Sequence, residues 1–211
     1  MCWVISIQSS KDFLDKESEY LALTQLLLLN QNPYWAAQVL TSGQKKIVTT
    51  TETVIDKVTK AETKVEKTGP VVRSNEKNLK LLADSWRMAQ EIDKAIPALE
   101  KAAKMSKEGK SYVLLGNLYL SEDRIEQAVD AIKKGLDKGK LTKISQVHLT
   151  LGQAYYELQE FDNAKKQFRI AARDEDKKIK KQANNWIKYT ENEEIRVKNL
   201  ALRRDYIQSQ S

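Results

Sequence analysis

Apolar residues recur along this chain three and four positions apart, in paired short runs separated by polar turns. The run Tyr112, Leu115, Gly116, Tyr119 is followed by Ile125, Ala128, Ile132, Gly135. The same offsets return in His148, Leu151, Gly152, Tyr155 and then Phe161, Ala164, Phe168, Ala171. They occur earlier in Leu79, Leu82, Ala83, Trp86 and then Ile92, Ala95, Leu99, Ala102. Each run marks one buried stripe of a helix, so every copy predicts two helices. In the copy at 109–140 these are 111–120 and 125–136, joined by the polar turn Ser121, Glu122, Asp123, Arg124. A fainter copy opens the series with Tyr20, Leu23, Thr24, Leu27, Pro33, Ala36, Leu40 and Gly43. Its Pro33 suits the first turn of a helix, where the missing N–H costs little.

Leu82, Leu115 and Leu151 stand 33 and 36 residues apart, which brackets the ~34-residue period of a helix–turn–helix repeat. Gly inside a helix costs up to about 1 kcal/mol relative to Ala. Small residues returning at one position (Ala83, Gly116, Gly152, and Ala95, Ala128, Ala164) therefore predict close helix approaches. The bulky Trp86, Tyr119 and Tyr155 fill the space between them. One such hairpin cannot bury its apolar face alone, so the copies must stack.

These residues carry a resemblance. Leu115-Gly116-x-x-Tyr119 and Leu151-Gly152-x-x-Tyr155, each followed by an Ala and a large residue, resemble the tetratricopeptide repeat; Leu82-Ala83-x-x-Trp86 is a variant. The resemblance implies an all-α superhelix of antiparallel helix pairs. It has a degenerate first repeat at 14–43 and further repeats at about 76–107, 109–140 and 145–175 within 71–175. Residues 1–13 are expected to be irregular. From 176 to 211 a capping helix or helices and a frayed tail are expected, with Thr190-x-x-Glu193 a candidate capping box for a second helix.

Leu23 and Leu82 are 59 residues apart, about one insertion more than a period. The excess falls at 44–70, ended by Gly69-Pro70. There Ile47, Val54, Val58 and Val65, with Ala61 between, form a narrow seam at coiled-coil spacing. The expected insertion is helical, prolonging the preceding helix, or partly disordered because its threonines lower helix propensity. The seam at 47–65 offers a place for a partner or for a homodimer.

Composition narrows the function. The chain has 211 residues and a net charge of +7, with acids and lysines interspersed. The basic run 177–181 follows Asp174, Glu175 and Asp176, which argues against a nucleic-acid reader. No stretch is long and apolar enough for a membrane span. The one cysteine, Cys2, allows no internal disulfide. The one histidine, His148, sits at a packing position, and no phosphate loop, metal-spaced set or nucleophile elbow is present. No catalytic residue, metal or cofactor is expected.

A protein-binding scaffold is what remains. By resemblance, the first helix of each repeat lines a concave groove for a protein or peptide. The candidate groove residues are Lys77, Lys80, Asp84, Arg87 and Met88, then Lys110, Val113, Asn117 and Leu120, then Gln146, Leu149, Gln153 and Tyr156. The carboxylate clamp of some members needs Lys and Asn at two fixed positions of one repeat. Here those hold Lys80 with Asp84, Val113 with Asn117, and Leu149 with Gln153, so the clamp is not expected.

Residues 75–86, 161–173 and 186–194 resemble the C-terminal half of bacterial tetratricopeptide proteins of TonB systems. That implies a periplasmic or envelope accessory of TonB, ExbB and ExbD, cut from a longer parent with a signal peptide. A cytoplasmic adaptor is the alternative.

Overall fold

The computed structural model describes residues 14–55 and 62–210, and the expectation for 1–13 lies outside them. The chain divides into two compact units, one ending at Met105 and the other beginning at Ser106. The first holds helices α1 (Glu17–Leu29), α2 (Pro33–Lys45), α3 (Glu76–Met88) and α4 (Ile92–Met105), with strands β1 (Ile47–Ile55) and β2 (Glu62–Pro70) between α2 and α3. The second holds α5 (Lys110–Ser121), α6 (Ile125–Lys138), α7 (Ile144–Glu157), α8 (Phe161–Ala171) and α9 (Lys177–Ser209).

Neighbouring helices pack as pairs: α1 on α2, α3 on α4, α5 on α6, α7 on α8. The first helix of every pair ends in one way. Gln31, Gln90, Asp123 and Gln159 adopt left-handed φ values of 57°, 61°, 56° and 57°. The next N–H then reaches back to a carbonyl of the final helical turn. These bonds are Asn32 to Leu27 (2.8 Å) and Glu91 to Trp86, Arg124 to Tyr119 and Glu160 to Tyr155 (each 2.9 Å). This satisfies carbonyls that a helix end leaves without partners. The faint first copy makes the same turn as the three clear ones.

Glycine sets the closest approaches. A Cβ at Gly116 would sit 2.4 Å from Ile132 Cγ1, and one at Gly152 2.5 Å from the Phe168 ring. One at Gly43 would meet Val72 at 2.4 Å and Tyr20 at 2.8 Å. The first unit's core is built from Tyr20, Leu40, Val72, Leu79 and Leu99. The second's runs from Val129 and Ile132 through Leu149, Leu151 and Phe168 to Ala183.

The insertion is not helical. It is an antiparallel hairpin with Ile47 opposite Pro70 and Ile55 opposite Glu62. Eight of the nine residues of β1 are β-branched. Such residues lose χ1 freedom in a helix and pack well on a pleated strand, which decides the matter against the seam spacing. Val54 and Val65 stand opposite Thr63 and Glu52, so no helical seam joins them; Val58 and Ala61 lie outside the described residues. Thr49 and Thr68 hydroxyls bond across the strands at 3.0 Å. The hairpin is clipped at its base. Val71 N–H donates to Lys46 O (2.9 Å) and Val72 N–H to Gly43 O (3.0 Å). Glu17 accepts from Arg73 N–H (3.0 Å) and Asn78 Nδ2 (2.7 Å).

The chain after residue 176 forms one unbroken helix, capped by Asp176, whose side chain accepts from Lys178 N–H at 2.8 Å. The candidate capping box at Thr190 does not form. Thr190 is buried, and its hydroxyl donates to Trp186 O one turn back (2.7 Å). The helix runs to Ser209.

Candidate functional site

The twelve repeat-signature residues (Leu82, Ala83, Trp86, Ala95, Leu115, Gly116, Tyr119, Ala128, Leu151, Gly152, Tyr155, Ala164) are all buried. They build the scaffold and present nothing to a ligand. The groove candidates divide.

On α3, Lys77, Arg87 and Met88 are exposed, and Lys80 and Asp84 are half-buried. Most of the charge there is matched locally. Lys80 pairs with Glu76 one turn away, and Arg87 with Asp84 at 3.5 Å. Nearby, Lys94 Nζ stands 4.8 Å above the Trp86 ring and 5.6 Å from Tyr34. Donating a hydrogen bond to the Glu91 carboxylate holds its ammonium above the usual lysine value.

In the second unit, Lys110, Asn117 and Gln146 are exposed, and Gln153 is half-buried. Val113 packs against Gly135, and Leu120 is partly buried against the core. Leu149 is fully buried, at 0% exposure. It is therefore a core residue and not a groove residue. α7 is flanked by α6, α8 and α9, so its apolar arc is wider than that of a helix with one open face. Transferring groove positions from α3 to α7 ignores that extra cover.

Tyr156 leads to a site the repeat pattern did not name. Its ring meets Tyr189 at 5.3 Å, Trp186 at 5.7 Å and Phe161 at 6.0 Å. Burial and the Tyr189 hydroxyl push its phenol well above the ordinary tyrosine value. Trp186 stacks on Phe168 with centroids 5.5 Å apart, while Tyr189 remains half exposed. Beside them an open cavity of about 450 Å³ is lined by Gln182, Asn185, Trp186 and Tyr189. Those four stand at i, i+3, i+4 and i+7, one face of α9. A signal for this helix exists in the sequence. Ile179-x-x-Gln182-Ala183-x-x-Trp186 repeats the spacing of Leu79-x-x-Leu82-Ala83-x-x-Trp86, so α9 starts as a further first helix. The aromatic walls can take an apolar side chain, and the two amides can pair with peptide N–H and C=O groups.

An ion-pair network fixes α9 on α8. Lys165 Nζ bonds Glu194 at 2.7 Å and Asp162 at 3.0 Å, and Lys198 bonds Glu194 at 2.6 Å. Lys165 and then Lys198 hold the Glu194 carboxyl at about 2, well below its ordinary 4.5. A depressed carboxylate stabilises the fold above its unfolded pKa and loses that contribution as pH falls through its folded one. Wild-type melting temperature should therefore fall between pH 4.5 and 2 with a steeper slope than that of Glu194→Gln. Equal slopes in circular-dichroism melts would remove Glu194 from that account.

Among the described residues no group of three His, Cys, Asp or Glu is placed to hold a metal. No described helix is long and apolar enough to cross a membrane. His148 Nδ1 lies 2.8 Å from Gln167 Oε1.

Comparison with known proteins matches this geometry. The family model for the tetratricopeptide repeat matches residues 109–137 and 145–172. A crystal structure of MamA protein is similar with a TM-score of 0.59 at 16% identity, covering 92% of this chain and 94% of that one. A second MamA crystal structure gives 0.52 at 17% identity, over 83% and 96%. The crystal structure of the APC/C hetero-tetramer Cut9–Hcn1 gives 0.52 at 15% identity, over 84% of this chain and 30% of that one. No curated protein sequence matches the chain. Likeness at these identities is likeness of fold, and the fold is an all-α tetratricopeptide-repeat solenoid with residues 109–137 and 145–172 as its matched repeats.

Proposed function

We propose that this chain is a non-enzymatic protein-binding scaffold, and that its second unit docks an extended peptide of a partner on the face of α9 beside Tyr156. The observation that carries this is the open cavity walled by Trp186 and Tyr189 and edged by Gln182 and Asn185. A half-exposed aromatic beside two amides is suited to hold one apolar side chain and register the peptide backbone around it. The tetratricopeptide matches support a binding role, because a repeat array offers one broad surface to a partner.

The test is affinity capture with the wild type and with Tyr189→Ala plus Asn185→Ala, two positions exposed enough to leave the core intact. Partners should be recovered by the wild type and weakened about tenfold by the double variant, a modest hot-spot loss. Equal recovery by both would place binding elsewhere.

The finer reading is an accessory of a TonB–ExbB–ExbD system in the periplasm. It rests on the resemblance of residues 75–86, 161–173 and 186–194, and the last stretch supplies Trp186 and Tyr189. Crosslinking in cells should then recover TonB, ExbB or ExbD and lose it on Tyr189→Ala plus Asn185→Ala. Recovery of cytoplasmic proteins alone would favour the adaptor reading.

A further inference from the structure

The hairpin β1–β2 is a two-stranded sheet, and among the described residues no third strand pairs with β1. Its two outer edges differ in kind. The bond from Val71 N–H to Lys46 O makes that pair a hydrogen-bonded one. Alternation from the Lys46 carbonyl then turns the backbone groups of Val48 and Thr50 inward toward β2. The outward set on β1 is Ile47, Thr49, Thr51, Thr53 and Ile55. On β2 it is Glu62, Lys64, Glu66, Thr68 and Pro70, from the register. Charges and a proline blunt the β2 edge in the way exposed edges are protected. The outward positions of β1 carry no charge and no proline.

β1 also reads almost the same in both directions: Ile-Val-Thr-Thr-Thr-Glu-Thr-Val-Ile, centred on Thr51. Thr51 is the middle of the outward set. An antiparallel pair of β1 strands about a two-fold axis at Thr51 places Ile47 opposite Ile55, Val48 opposite Val54 and Thr49 opposite Thr53. Every one of these outward residues then falls in a hydrogen-bonded pair, so the axis that matches the sequence also matches the hydrogen-bonding phase. The strand's one charged position, Glu52, falls opposite Thr50 and not opposite itself. The equivalent pairing of β2 would set Glu66 against Glu66 and require an N–H from Pro70, which has none.

We propose that the outer edge of β1 is an isologous interface for a second copy of this chain, joining two hairpins into one four-stranded antiparallel sheet. The contact is mostly backbone and small, so the association is weak and reversible.

Sedimentation velocity of the full chain from about 5 to 500 µM tests it. The wild type should pass reversibly from monomer to dimer. Thr51→Lys, which sets two like charges at the axis, should remain monomeric throughout. Thr51→Pro should do the same, because the N–H it removes faces away from β2 and the hairpin is spared. In a Cys2→Ser background, Thr51→Cys should form a disulfide dimer under mild oxidation, since hydrogen-bonded antiparallel partners have Cα atoms about 5.5 Å apart. Lys64→Cys, on the other edge, should not. A monomer at every concentration, a dimer untouched by Thr51→Lys and Thr51→Pro, or equal crosslinking at residue 64 would each overturn the proposal.

Discussion

Replacing Phe168 by alanine should cost about 4 kcal/mol, the range for truncating a buried phenylalanine. Phe168 is 0% exposed. Its ring stacks on Trp186 of α9 on one side and closes on Gly152 of α7 on the other, where a Cβ would stand 2.5 Å away. Truncation therefore opens a void that separates three helices at once. For a chain of this size the melting temperature should fall by roughly 10 °C. In a repeat array stability is shared between neighbours, so hydrogen exchange should quicken in α7, α8 and α9 more than elsewhere in their unit. The two residues are coupled. Gly152→Ala alone overpacks against the ring at about 1–3 kcal/mol. In the Phe168→Ala background the new methyl enters the void, so the double variant should lose less than the two single losses added. A Phe168→Ala variant melting within about 2 °C of wild type, or strictly additive losses, would contradict this packing.

The helix pairs were legible because helix-to-helix contact writes itself into size. Ala83, Gly116 and Gly152 recur where a larger residue would collide, and Trp86, Tyr119 and Tyr155 recur where space must be filled. The hairpin was less legible. Spacings of seven and four fit a helical seam, yet the run of threonine, valine and isoleucine from Ile47 to Ile55 favours a strand residue by residue. Composition outweighed periodicity there because the segment packs too little against the body for a stripe to be required. Leu149 was misplaced for a related reason: its position in the repeat says where it points, and the helices around α7 decide whether that direction is open. The Trp186–Tyr189 surface was hidden because α9 carries only the first half of the repeat signature, with Gln182 in place of the usual leucine. The paired charges Lys80–Glu76 and Arg87–Asp84 show a further limit. A list of groove residues counts charges, and a helix surface cancels them one turn apart.

Gly109→Ala is the substitution where the backbone leaves no room to yield. Gly109 carries an ordinary φ of −72° just before α5, so conformational freedom is not what selects it. A Cβ there would lie 1.9 Å from the carbonyl oxygen of Gly135 and 2.7 Å from its carbon. Both atoms belong to the main chain of α6 and cannot rotate away as a side chain can. The same segment is tied down by Gly109 N–H donating to Gly139 O at 2.9 Å. In return, a Cβ at Gly135 would meet Gly109 O at 3.0 Å and Val113 Cγ2 at 2.8 Å. Two helices thus meet through two glycines, and either methyl would force them apart. Overpacking of this kind costs about 3 kcal/mol, the upper end of the usual range, and alanine is a poorer residue than glycine at a helix start. Gly69→Ala is the matched control. It has nothing within 4 Å of its Cβ position, and it should change stability by less than about 0.5 kcal/mol, as open surface positions do. Equal melting temperatures for the two variants would mean that α5 and α6 are not held at the Gly109–Gly135 contact. A large loss confined to Gly109→Ala would mean that this backbone approach sets the angle between them.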